Sequence, residues 1–397
     1  MTFQTLALVV AVGLLGPILA APRRWRVPIL AGELAGGIAL GPTGANQLHP
    51  GDRTFTFLAN IGFALVMFVA GSHLPVRDRR LLASMRIGSL RAIAVGAISA
   101  GLGAVVAAGF DTGHGALYAV VIASSSAALI LPTLDSLGLT KSPPVLELLP
   151  QVAIADAASI VALPLVIDPA RAAHAALGSI VVIAAALVVF LVLDVAERRG
   201  LRRRLHDLSE QRRFALELRI SLLVLFALAA IAVRAKVSIM LAGFAFGLAI
   251  AGIGEPRRLA KQLFALTEGF FAPLFFVWIG ASIDVRALGA HPKYLLLGFV
   301  LAAAALVAHV AMRATGQPAL LGVVAAAQLG VPIAAVTLGT QQHLLRRGEP
   351  AALLLGALAT VAATTIAAAL AARNAIQSPA ATARSRAGGD SVEQSGQ

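Results

Sequence analysis

The chain of 397 residues contains no cysteine, and only 13% of its residues are charged. Without cysteine, disulfide bonds and thiol chemistry are excluded. Soluble domains carry about 25% charged residues, so the low charge argues against an ordinary soluble protein. The sequence also has no P-loop, dinucleotide-binding fingerprint or zinc-ligand spacing. We therefore expect neither an enzyme nor a cofactor.

Apolar residues dominate instead: 58% of the chain is hydrophobic and the mean hydropathy is +0.86. About thirteen apolar spans each approach the ~20 residues that cross a bilayer as a helix. The sequence therefore predicts an all-α polytopic membrane protein with about thirteen transmembrane helices. The predicted spans are 4–21, 27–42, 54–74, 87–110, 115–138, 145–167, 174–194, 215–234, 237–253, 262–284, 293–313, 318–341 and 350–373.

The net charge of +13 could suggest a nucleic-acid partner. Its cations, however, lie in short loops between apolar spans, where the positive-inside rule explains them better. With the N-terminus outside, 22 cations fall on the inner side and 8 on the outer side. We therefore expect no nucleic acid, and a multi-pass protein of the cytoplasmic membrane with its N-terminus outside and its C-terminus inside.

Two sequence matches share an offset of seven spans. Residues 30–36 (LAGELAG) in the second span resemble residues 241–247 (LAGFAFG) in the ninth. Residues 68–71 in the third span resemble residues 276–280 in the tenth. An odd offset gives the two copies opposite orientations, as in the inverted repeats of secondary transporters. Chance matching of helices rich in Gly, Ala and Leu is the alternative.

The same offset pairs the fifth span with the twelfth. Ser124, Ser125 and Ser126 precede Pro132 in the fifth span, and Gln328 precedes Pro332 in the twelfth. Proline removes a backbone donor and breaks or kinks a helix. Broken helices at membrane depth are tolerated where they line a cavity. We predict two discontinuous helices that cross near the bilayer centre, although an ordinary proline kink would explain either proline alone.

The predicted domain organisation follows from this repeat. Repeat one covers about 4–167, a linker helix covers about 174–194, and repeat two covers about 215–373. Residues 1–373 thus form one transmembrane domain. The remainder, 374–397, is rich in Ser, Gly and Ala, which predicts a disordered tail.

Asp156 is the candidate site residue, because it lies in an otherwise apolar stretch between Pro150 and Pro164. A carboxylate at membrane depth costs several kcal/mol or more unless it is neutralised, solvated or paired. It therefore predicts a group that binds a transported monovalent cation or carries a proton, while a permanently protonated structural Asp is the alternative. Further candidates are the oxygen ligands Ser124, Ser125, Ser126 and Ser159, the accessory titrating groups Glu33 and His309, and Arg91 as an ion-pair partner of Asp135 or Glu147.

Three segments carry a family resemblance. Residues 27–42, 62–74 (GFALVMFVAGSHL) and 270–284 (FFAPLFFVWIGASID) resemble motifs of the monovalent cation:proton antiporters, in their sodium/proton exchanger and Kef-like branch. The resemblance covers about residues 5–373. It implies a core bundle of spans 4–6 and 11–13, a panel of spans 1–3 and 8–10, a homodimer, and elevator-like exchange of Na⁺ or K⁺ for H⁺.

The sequence departs from this family at two places. Ala155 precedes Asp156 where members usually carry Asp, Asn or Gln, and the eleventh span has no Lys or Arg from Leu295 to Met312, where many members carry one. A single carboxylate predicts electroneutral exchange, because it takes either one proton or one monovalent cation. Two alternatives remain open: a Kef-like potassium efflux unit, and a relative that senses or scaffolds without transport.

Overall fold

All regular secondary structure of the described residues is helical in a computed structural model, and these residues contain no β-strand. The described residues are 1–21, 29–72, 77, 79–140, 142–200, 216–235, 237–254, 257–283, 285–286 and 292–376. The first eight helices are α1 (Phe3–Gly13), α2 (Leu15–Ala20), α3 (Ile29–Leu40), α4 (Arg53–Ser72), α5 (Arg79–Phe110), α6 (Gly115–Ala123), α7 (Ala127–Ser136) and α8 (Pro143–Ile167). They are followed by α9 (Ala172–Arg198), α10 (Leu216–Arg234), α11 (Ile239–Ile253), α12 (Arg257–Leu266), α13 (Ala272–Ser282), α14 (Pro292–Val310), α15 (Ala319–Ala325), α16 (Gly330–Gln341) and α17 (Glu349–Ile376).

The polytopic helical fold predicted from the sequence is confirmed. Within the described residues, ten helical segments are long and apolar enough to cross a membrane, and Gly115–Leu131 and Ile239–Ile253 are shorter apolar segments. Every predicted span contains helix, while the count of thirteen crossings stays a prediction. Helix α17 extends to Ile376, three residues past the predicted boundary, and the tail from residue 377 lies outside the described residues.

Helices α1–α4 and α10–α13 form one packing group, which we call the panel group. Its closest contacts join α3 to α13 and α4 to α11. A methyl group placed on Gly37 would lie 2.2 Å from the carbonyl oxygen of Val277, and one on Gly280 would lie 2.2 Å from that of Leu34. Small residues of this kind let membrane helices approach backbone to backbone. The glycine motifs of the sequence therefore mark helix contacts.

Helices α5–α8 and α14–α17 form the second packing group, the core group. Within it, α5 packs against α6 and α8, and α14 packs against α15 and α17. The guanidinium of the buried Arg91 donates to Thr315 Oγ1 at 2.9 Å and lies 3.1 Å from Glu147 Oε2. The predicted pairing of Arg91 is thus confirmed for Glu147. At the other end of the group, the fully buried Glu349 of α17 accepts bonds from His114 and Tyr118 of the α6 end.

The panel contacts bear on the repeat interpretation. The second span packs on the tenth, and the third packs on the ninth. Under the offset of seven, the second span corresponds to the ninth and the third corresponds to the tenth, so the two pairs are equivalent. Since a pseudo-two-fold relation requires such an exchange, the packing supports the inverted repeat, which stays an interpretation.

Candidate functional site

The fifth predicted span is interrupted at three serines. Helix α6 ends at Ala123, and α7 begins at Ala127. Ser124 and Ser126 have extended backbone torsions, with ψ of 147° and 98°. Ser124 Oγ donates to the carbonyl of Val121 at 2.7 Å, so it satisfies one acceptor at the end of α6.

The twelfth predicted span is interrupted in the same manner. Helix α15 ends at Ala325, and α16 begins at Gly330. Gln328 lies within this break, where its backbone N–H donates to Thr360 Oγ1 of α17 at 3.2 Å. Both interruptions are buried among the helices of the core group.

Each break donates a hydrogen bond to a free carbonyl group at the other break. Ser125 Oγ of the first break donates to the carbonyl of Ala325, the last residue of α15, at 2.7 Å. Gln328 Nε2 of the second break donates to the carbonyl of Ile122, near the end of α6, at 3.3 Å. Helix ends leave carbonyl groups without an intrahelical partner, and such groups are costly away from water. Each break therefore supplies a donor that the other half-helix needs.

The prolines do not mark the breaks, so this part of the prediction is wrong. Pro132 lies inside α7, five residues after its first residue, and Pro332 is the third residue of α16. A proline in the first helical turn loses no intrahelical bond, because its missing N–H would have had no helical partner. Pro332 is therefore compatible with a helix that has already begun at Gly330.

Asp156 lies in the middle of α8, is 6% exposed, and faces the first break. Its Oδ2 accepts a bond from the backbone N–H of Ala127, the first residue of α7, at 2.9 Å. The N-terminus of a helix carries partial positive charge and free N–H donors, so it stabilises an anion. Among the residues that the structure describes, Asp156 forms no ion pair. The carboxylate is thus held by a half-helix end and can take a proton or a cation.

The predicted serine ligands fall into two sets. Ser126 directly precedes Ala127, and Ser159 lies three residues after Asp156 on α8, the spacing of side chains on one helix face. Both serines are buried. Ser124 and Ser125 give their protons to carbonyl oxygens, which leaves their own lone pairs free to accept.

His309 is fully buried on α14 and lies near the breaks rather than at Asp156. Its Nδ1 lies 2.9 Å from the carbonyl of Ala305, and its Nε2 lies 3.4 Å from Ser125 Oγ. The Ala305 carbonyl requires a proton on Nδ1. Because the Ser125 hydroxyl already donates its proton to Ala325, a hydrogen bond between Nε2 and Ser125 Oγ would require a second proton on the ring. Glu33, the other proposed accessory group, lies on α3 in the panel group and packs beside Gly16.

Two polar residues near the site escaped the sequence analysis. Gln151 lies five residues before Asp156 on α8 and is fully buried, yet neither atom of its amide has a hydrogen-bond partner among the described residues. Thr360 Oγ1 accepts a hydrogen bond from the Gln328 backbone N–H and donates one to the carbonyl of Ala357 at 2.7 Å. The sequence feature that could have identified them is that each is a polar residue in a mostly apolar span.

A crevice of about 790 Å³ separates the two packing groups at the end where α17 begins. Trp278 and Ser282 of α13 line its panel side, and Thr337 of α16 lines its core side. Asp156 does not line this crevice. The fold and the buried carboxylate together define a membrane protein with a polar site enclosed between half-helices.

A model of the transmembrane domain of sodium/hydrogen exchangers matches residues 9–380. The chain therefore belongs to the sodium/hydrogen exchanger family. The predicted resemblance to monovalent cation:proton antiporters is confirmed.

Individual relatives and a solved structure are similar over most of the chain. YjbQ of Bacillus subtilis, whose name places it provisionally among Na⁺/H⁺ antiporters, is 23% identical over 89% of this chain and 60% of its own length. The Na⁺/H⁺-K⁺ antiporter GerN of Bacillus cereus is 23% identical over 69% of this chain and 70% of its own length. The sodium proton antiporter MjNhaP1 of Methanocaldococcus jannaschii has a similar fold, with a TM-score of 0.64, 17% identity, and coverage of 94% of this chain and 98% of that one. The chain thus spans about three fifths of the length of YjbQ.

Proposed function

We propose that this protein is a secondary transporter that exchanges Na⁺ or K⁺ for H⁺ across the cytoplasmic membrane, with its N-terminus outside. The observation that carries the proposal is Asp156, a buried carboxylate that has no ion-pair partner among the described residues and faces the N-terminus of α7 at the first helix break. Membership of the sodium/hydrogen exchanger family supports the same reaction class.

Asp156 serves as the shared carrier. Na⁺ and K⁺ are hard cations that prefer oxygen ligands, as hard divalent metals do. The Asp156 carboxylate and the hydroxyls of Ser126 and Ser159 form the proposed ligand set, and Ser124 and Ser125 contribute oxygen atoms at the break. A proton on the carboxyl group removes the charge that holds the cation. Cation and proton therefore exclude each other, which makes the transport an exchange.

The names of the relatives do not decide between sodium and potassium, since that of GerN includes both ions. A Kef-like potassium efflux unit thus stays the second candidate. A relative without transport activity is the third, because Ala155 and the lack of a Lys or Arg between Leu295 and Met312 are departures from the pattern that the resemblance implies. The homodimer implied by the resemblance stays a prediction.

The test is cation-driven proton flux in proteoliposomes, with Na⁺, K⁺ and Li⁺ compared side by side. We expect Asp156→Asn to abolish the flux in a folded protein, because the amide can neither release a proton nor carry charge. Asp194→Asn is the matched control, since Asp194 on α9 is a more exposed carboxylate, paired with Arg198 at 2.8 Å. Wild-type flux from the Asp156 variant would remove this residue from the mechanism, and no flux from the wild type with any of the three cations would favour the inactive relative.

A further inference from the structure

A separate groove of about 430 Å³ opens at the protein surface, away from Asp156. It lies where α8 and α10 end and α9 begins, with the end of α16 as its fourth wall. It therefore touches the core group, the panel group and the helix that joins the two repeats. With the predicted orientation, this end of the molecule is the outer one.

The rim of the groove is cationic. Arg171, His174 and Arg234 line it together with one carboxylate, that of Asp168. Arg171 Nη1 lies 3.5 Å from Asp168 Oδ2, which leaves Arg234 without an ion-pair partner among the described residues. The amide of Gln342 adds a further donor to the rim. Two guanidinium groups against one carboxylate give the rim a net positive charge at neutral pH.

The wall below this rim is apolar and open. Leu177 is 64% exposed, and Val181, one turn further along α9, is 46% exposed. The floor is closed by backbone, because a methyl group on Gly178 would lie 2.8 Å from the carbonyl oxygen of Ala235. A cationic rim directly above an apolar wall matches a molecule with an anionic head and a hydrocarbon tail.

We propose that this groove binds an anionic phospholipid of the phosphatidylglycerol type. The phosphodiester lies between the guanidinium groups of Arg171 and Arg234, since arginine forms charge-assisted hydrogen bonds to phosphate oxygens. One acyl chain lies along Leu177 and Val181. Basic pockets between transmembrane helices bind lipid headgroups by the same combination of charge and shape.

The absence of cysteine makes a direct test possible, because one introduced cysteine can be labelled without background. Leu177→Cys carries a fluorophore into the groove, and the protein is reconstituted in vesicles with brominated phosphatidylglycerol or brominated phosphatidylcholine at equal mole fraction. We expect phosphatidylglycerol to quench the label at least about twofold more strongly, because the cationic rim enriches it locally. Arg171→Gln/Arg234→Gln in the same background should reduce the ratio to one.

Leu296→Cys on α14 is the matched control, since Leu296 is 57% exposed and lies near the start of a helix outside the groove. It should show no headgroup preference. Equal quenching by the two lipids at position 177, the same preference at 296, or a preference that survives both arginine substitutions would overturn the proposal. If the double variant does not fold, Arg234→Gln alone provides the test. This exposed guanidinium forms no ion pair with the described residues, so its removal should not disturb the fold.

Discussion

At the scale of single residues, the site rests on Asp156 and on groups that have no charge of their own. The Ala127 N–H donates to Asp156 at 2.9 Å, while Ala155 occupies the place of a second polar partner. The N-terminus of α7 thus supplies the local positive potential. Unlike a charged side chain, it cannot lose a proton, and unlike a bound ion, it cannot dissociate. In the proposed function, the carboxylate consequently depends on a proton or a transported cation for full neutralisation.

Competition at one carboxylate predicts a defined pH dependence. Because only the deprotonated carboxylate binds the cation, the apparent KM for Na⁺ should rise as pH falls, by up to about tenfold per pH unit where the proton dominates. The maximal rate should change less. Initial rates across pH and Na⁺ concentration provide the measurement, and a KM independent of pH would contradict the shared-carrier model.

The Ser125 hydroxyl offers a second residue-scale prediction. Ser125→Ala leaves the buried carbonyl of Ala325 without its donor, which should cost about 1–3 kcal/mol of stability. Ser282→Ala is the control, because the exposed Ser282 hydroxyl donates to Trp278 in its own helix and water can replace it. Thermal unfolding in detergent checks both variants. Equal melting temperatures would show that the bond between the breaks contributes little.

Sequence reasoning identified the charged and hydroxyl members of the candidate site, whose role stays a prediction, but most of their hydrogen-bond partners were not predicted. Asp156 and Ser124–Ser126 are conspicuous because polar groups are rare in apolar spans. The Ala127 N–H could not be predicted, since every residue except proline carries the same donor. The positions of Thr360 and Gln151 near the candidate site depend on which helices pack together. A single sequence does not contain the distances between helices.

At the scale of helices, the main discrepancy concerns where the chain stops being helical. The sequence analysis assigned Pro132, Pro332 and Gln328 to the breaks. The structure places the breaks at 124–126 and 326–329, which include Gln328 but neither proline. Backbone groups released by a break need side-chain donors, and serine and glutamine provide them while proline does not. The helices themselves were predictable because a run of apolar residues of bilayer length has few other solutions.

The close helix contacts predict an asymmetric response to alanine. Gly37→Ala should destabilise the protein, because its methyl group would lie 2.2 Å from the Val277 carbonyl oxygen and force α3 away from α13. Gly101→Ala on α5 is the matched control, since its methyl group would meet nothing within 4 Å. We expect the control to be neutral or stabilising by about 0.5–1 kcal/mol through helix propensity. Similar melting temperatures for the two variants would argue against tight contact between α3 and α13.

At the scale of the whole molecule, one carboxylate in each site fixes the proposed stoichiometry. In the proposed exchange, Asp156 takes one proton in one direction and one monovalent cation in the other, so that a cycle would move no net charge. The resemblance described above implies the same count, with one acidic residue for electroneutral exchange and two for electrogenic exchange. Glu33 and His309 are the two groups through which a second proton could enter the cycle.

Electroneutrality is tested by imposing a membrane potential with valinomycin and K⁺ on Na⁺-loaded proteoliposomes. We expect the proton flux to change little with the potential. A steep dependence would mean more than one proton per cation. In that case His309→Asn should restore a flat response if His309 carries the second proton, and Glu33→Gln should do so if Glu33 carries it.

The reciprocal bonds between the breaks have a consequence for biogenesis. The donor for Ile122 comes from Gln328, and the Gln328 N–H in turn needs Thr360, so the first interruption stays incomplete until almost the whole chain has been translated. A nascent chain that ends between the two repeats presents unsatisfied carbonyl groups to lipid. The proposed ion site is then the last part of the protein to mature, and the carbonyl of Ile122 stays without its Gln328 donor in a truncated chain.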